Sequence, residues 1–74
     1  MAYKYDKLIG RIIEKFGNRK AFAEAMHMTA ESLSKKLNNH RCLDQREITL
    51  ACQLLDIQDA DVNVYFFTLE VQSA

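Results

Sequence analysis

Three residues, His27-Met28-Thr29, separate two stretches of helical pattern, and this spacing restricts the fold more than any other feature. Before them, Phe22, Ala23 and Met26 make one face of a helix over residues 19–26. After them, Leu33 and Leu37 anchor a helix over residues 30–38. So short a link forces the two helices to cross, as in a helix-turn-helix. The turn needs a positive φ near its first position, which is normally the role of glycine. Histidine and asparagine are among the few other residues enriched there. His27 therefore serves the backbone, and no partner at useful spacing makes it a base or a metal ligand. Met28 is expected to plug the space between the helices. Thr29 can cap the second of them, and Asn39 is the usual second choice after glycine for a left-handed stop.

The rest of the chain fits the same frame. Leu8, Ile9, Ile12, Ile13 and Phe16 form one stripe of an amphipathic helix over residues 6–16. Asp6 is expected to cap its start and Gly17 to end it. Asn18 can cap the next helix. Asp44 and Glu47 have the spacing of a capping box, opening a fourth helix to about residue 55 whose inner face is Ile48, Ala51, Cys52 and Leu55. Asp59 can open a short fifth helix through residue 64 or 66. The absence of proline and the presence of only two glycines suit a compact helical chain. The end, "FFTLEVQ", alternates with period two and reads as an extended or β tail over about residues 66–72. One strand cannot satisfy its own backbone. The tail must fold over the helices or pair with a second copy. At 74 residues the chain is a single domain.

Charge is unevenly placed. Residues 1–46 hold ten bases and five acids, while residues 47–74 hold five acids and no base. One half, at +5, can face phosphate, and the other, at −5, must then face away. Folding can also mix the two. Cys42 and Cys52 complete no metal spacing with His27 and His40, so reduced thiols and no metal are expected. No apolar run is long enough for a membrane span. A soluble, intracellular protein is expected. No nucleophile and base stand at motif spacing, and there is no phosphate loop. Neither an enzyme nor a cofactor is expected.

On the helix over residues 30–38, Glu31, Ser34, Lys35 and Asn38 point away from Leu33 and Leu37, with Thr29 and Ala30 at the tip. A major groove admits a helix presented in this way. The plainer explanation is a solvated polar face. Taken together, "RKAFAEAMHMTAESLSKKLNNHR" and "REITLACQLLDI" resemble the Cro and repressor type of phage helix-turn-helix family, over roughly residues 8–57. The likeness is greatest to short phage-encoded members ending in a "YFFTL-V" tail, matched by "YFFTLEV". The resemblance implies an all-α, five-helix, lambda-repressor-like domain that acts in the bacterial host cytoplasm, associated with the nucleoid. It implies base contacts from Thr29, Ala30, Glu31, Ser34 and Lys35, and phosphate contacts from Arg19, Lys20, Lys36, Asn38, His40 and Arg41. Ala30 stands where the family often places a base-reading glutamine, so that adenine contact is absent.

Two functions follow. The first is a Cro-like repressor or lysis–lysogeny switch protein that reads double-stranded operator DNA as a homodimer, since paired half-sites multiply specificity. The second is an antirepressor or modulator of the same fold that binds a repressor protein instead of DNA. Zero net charge, Ala30, Glu31 and the acidic C-terminal third favour the second. Tyr65, Phe67, Leu69 and Val71 are its candidate partner contacts, or the dimer contacts of the first.

Overall fold

A computed structural model of the chain describes residues 3–69. Five α-helices follow one another: α1 (Asp6–Phe16), α2 (Arg19–Ala25), α3 (Ala30–Leu37), α4 (Gln45–Leu55) and α5 (Val62–Phe66), the last preceded by a 3-10 turn at Asp59–Asp61. The fold is the small all-α arrangement expected. α1 packs on α2, α4 and α5, and α2 packs on α3.

The core draws on every helix. Leu8 and Ile12 of α1 meet Phe22, Ala23 and Met26 of α2, Leu33 and Leu37 of α3, Ala51 and Leu55 of α4, and Phe66 of α5. Each large apolar side chain among them contributes about 1.5–3 kcal/mol by leaving water. Phe16 meets the Phe22 ring edge-on at 5.3 Å, and Met28 is half-buried against the same cluster.

Three helices stop by one device. Each ends in a residue with a left-handed backbone that is not glycine: His27 (φ 61°), Asn39 (φ 65°) and Asp56 (φ 54°). In each case the amide just after that left-handed residue bonds back five residues. Met28 N–H donates to the Ala23 carbonyl at 3.0 Å, His40 N–H to Lys35 at 2.8 Å and Ile57 N–H to Cys52 at 2.9 Å. These are Schellman closures, which satisfy the last carbonyls of a helix. Helix starts are as local. Asn18 accepts from Ala21 N–H at 2.8 Å, Thr29 accepts from Ser32 N–H at 3.0 Å, and Asp44 and Glu47 form the complete capping box.

Four details differ from the expectation. Tyr5, not Asp6, occupies the N-cap of α1, with no side-chain cap bond. The Tyr5 ring is buried, which fixes the backbone there and leaves Asp6 in the first turn. Ile13 lies at the edge of the α1 stripe and is 45% exposed, because five apolar positions span a wider arc than the neighbouring helices cover. Phe66 is buried as the last residue of α5, the farther of that helix's two expected ends, so the tail begins one residue later than expected. Asp56, unforeseen as a left-handed stop, closes α4.

The chain ends meet. Tyr3 and Leu69 form an antiparallel bridge, and Lys4 N–H donates to the Thr68 carbonyl at 2.7 Å. Within the described residues the tail thus pairs with the N-terminal segment of the same chain. Val71 and the remainder of the expected tail lie outside the described residues.

Candidate functional site

The α2–turn–α3 unit exposes the tip formed by Thr29, Ala30 and Glu31. The side chains around that tip are largely engaged with each other. Thr29 uses its hydroxyl to cap α3. Glu31 pairs with Lys35 at 3.3 Å. Ser34 is half-buried and accepts from the Asn38 amide at 3.4 Å. The Glu31–Lys35 pair is exposed and worth only about 0.3–0.5 kcal/mol, so Lys35 can change partners cheaply.

Lys36 is different. It pairs with Glu47 of α4, and the two side chains are only 13% and 19% exposed. Moving this ammonium to a phosphate leaves the Glu47 carboxylate unpaired in a half-buried position, which is costly. Glu47 also closes the capping box by accepting from Asp44 N–H at 3.0 Å. The same carboxylate thus starts α4 and holds α3. Of the other candidate phosphate contacts, Arg19 and Lys20 are exposed at the start of α2, and Asn38, His40 and Arg41 are exposed beyond α3. Neither Arg19, Lys20 nor Arg41 has an acidic partner among the described residues.

The sequence-level charge split is partly mixed by folding. Lys15 pairs with Asp56 at 3.1 Å. Arg11 donates from Nε to the Leu55 carbonyl at 2.8 Å and from Nη2 to the Asp56 carbonyl at 3.4 Å. A guanidinium here caps the C-terminal end of α4, where the helix dipole favours a cation. Residue pattern and spacing give no sign of this role for Arg11. Asp59 and Asp61 have no basic partner among the described residues.

Asn39 does more than stop α3. Its Oδ1 accepts from Tyr3 N–H and its Nδ2 donates to the Tyr3 carbonyl, each at 2.9 Å. One carboxamide thereby fills the edge of the N-terminal segment as a neighbouring strand would, and ties it to the end of α3.

A groove of about 710 Å³ lies between α4 and the segment leading through α5, with Ile48, Cys52, Ile57, Val62 and Phe67 on its apolar walls and Asp59 at its rim. Phe67 is 44% exposed, and Leu69 and Tyr3 continue the apolar surface beside it. The Tyr3 and Phe67 rings meet edge-on at 5.9 Å. Of the candidate partner contacts, Phe67 and Leu69 thus stand together on this surface, whereas Tyr65 is half-buried against the core. Burial pushes the Cys52 thiol up from its ordinary value, with a smaller push from the Asp59 carboxylate. Burial also raises Tyr5, aided by Tyr3 and Cys42. No group of three or more His, Cys, Asp or Glu side chains is placed to hold a metal among the described residues. No helix among them is long and apolar enough to cross a membrane.

The family described as "Protein of unknown function (DUF739)" matches residues 1–69. Among solved structures, the chain is similar to the solution structure of the modulator of repression (MOR) of the temperate bacteriophage TP901-1 from Lactococcus lactis. The two share 36% identity and a TM-score of 0.80, with 97% of each chain covered. No curated protein matches the sequence.

Proposed function

The chain belongs to the DUF739 family, and from that premise we propose that it is a phage regulatory protein that modulates repression by binding a repressor protein. The observation that carries this reading is 36% identity across 97% of both chains with a protein described as a modulator of repression. The geometry of α3 supports it. Lys36 is held by Glu47, and Glu31 on the same helix offsets the charge of Lys35, so this helix offers little net positive charge to a phosphate backbone. DNA binding depends on such charge for most of its affinity. Its place of action is then the bacterial host cytoplasm, where the repressor works.

A second reading is direct operator binding as a homodimer, with Thr29, Ala30, Glu31, Ser34 and Lys35 at base edges. It is favoured by Arg19, Lys20 and Arg41, which are exposed and without acidic partners among the described residues. A mobility-shift experiment separates the two. Operator DNA is mixed with the chain alone, with the repressor alone, and with both. The chain alone is expected to leave the DNA free at low salt and to alter the shift produced by the repressor. A salt-sensitive shift by the folded chain alone, with the repressor's own shift unaltered, overturns the first reading in favour of the second.

A further inference from the structure

The groove along α4 joins three properties. Its walls are apolar, from Ile48, Cys52, Ile57, Val62 and Phe67, and Asp59 sits at the rim. Its apolar surface runs on to solvent at Phe67, which is 44% exposed in so small a chain. Its one charged lining residue is the acid Asp59, which with Asp61 is unpaired among the described residues, while Arg41 and Arg46 line the hollows that adjoin its other edges. The α4 positions that line it run from Gln45 to Gln53, about 12 Å of helix at 1.5 Å per residue. That length suits two turns of a partner helix laid alongside, with apolar anchors at helical spacing.

We propose that this groove is the docking surface for the repressor and takes one of its amphipathic helices, with apolar side chains on the groove walls and a lysine or arginine against Asp59 and Asp61. The assignment rests on the repressor-binding function proposed for the chain. Charge complementarity selects the occupant. A repressor must carry bases wherever it neutralises phosphate, and an acidic rim both attracts such a surface and competes for it. A second copy of this chain would instead set like charges at the same rim against each other unless it docked through its basic half. The α2–α3 face, by contrast, presents exposed bases at Arg19 and Lys20, which a basic partner avoids.

The test measures binding of the purified repressor used in the mobility-shift experiment by titration calorimetry, with wild type, Phe67→Ala, the double variant Asp59→Lys/Asp61→Lys, and Lys35→Glu on α3, which does not line the groove. Thermal melts and amide spectra confirm that each variant is folded. Phe67→Ala is expected to weaken binding at least about tenfold, as for a central aromatic anchor. The charge reversal is expected to weaken it by about tenfold and to remove most of its salt dependence. Lys35→Glu is expected to stay within about twofold, as for a residue outside the contact. Wild-type binding that survives both groove changes but is lost with Lys35→Glu overturns the groove while leaving repressor binding intact. Absence of wild-type binding removes both. A concentration-dependent dimer of the chain that Phe67→Ala abolishes, with repressor binding unchanged, assigns the groove to a second copy and overturns the proposal.

Discussion

His27→Gly and Asn39→Gly alter the same kind of backbone position, at φ 61° and φ 65°, yet they are expected to move stability in opposite directions. A side chain in the left-handed region costs roughly 1–2 kcal/mol, which glycine escapes. Glycine also returns about 0.4–1 kcal/mol of freedom to the unfolded chain. His27 is exposed and its side chain makes none of the hydrogen bonds found among the described residues. The balance for His27→Gly is therefore a gain of about 0.5–1 kcal/mol. Asn39 starts from a smaller penalty, because asparagine tolerates this region, and it holds Tyr3 through two bonds of 2.9 Å. Exposed bonds of this kind contribute about 0.5–1 kcal/mol each. Asn39→Gly thus loses about 1 kcal/mol net, or about 4–8 °C in melting temperature for a domain of this size. Calorimetric melts give the two shifts, and hydrogen exchange at the Tyr3 amide reports the lost clamp. A rise in melting temperature for both variants, or unchanged exchange at Tyr3, refutes the assignment of a second role to Asn39.

Arg11→Ala is expected to lose about 1–2 kcal/mol in urea unfolding, because the Leu55 and Asp56 carbonyls lose a charged donor. Arg11→Lys should recover less than half of it, since an ammonium cannot replace the fork of a guanidinium. For Cys52 the thiol value is raised by burial and then by Asp59. The folded chain therefore keeps that proton to higher pH than the unfolded chain does. The resulting stability is present below the ordinary thiol range and is lost as pH rises through the raised value. Under native conditions iodoacetamide should label the exposed Cys42 well before Cys52, and denaturant should remove the difference. Mass spectrometry of the digested protein measures both.

The amino-acid sequence determined the helices and most of their boundaries. Asn18, Thr29 and the Asp44–Glu47 pair cap through contacts three residues apart, and His27 and Asn39 stop helices through bonds that reach back three to five residues. Such interactions are settled by local backbone geometry, so residue type and spacing suffice to place them. Leu8, Ile12, Phe22, Leu33 and Leu37 were legible as core for the same reason, because a period of 3.6 puts them on one side of each helix. Tertiary structure alone decided what the polar residues do. Lys36 looks like a phosphate contact until α4 brings Glu47 against it. Arg11 looks like a solvated base until α1 crosses the end of α4, 44 residues later in the chain. The left-handed residue Asn39 becomes a clamp only because the N-terminal segment is laid beside it, and within the described residues the tail meets Tyr3. Each of these depends on the angle and offset at which helices cross. Those are fixed by how all the side chains of the core fill space together, and no local window of residues contains that information.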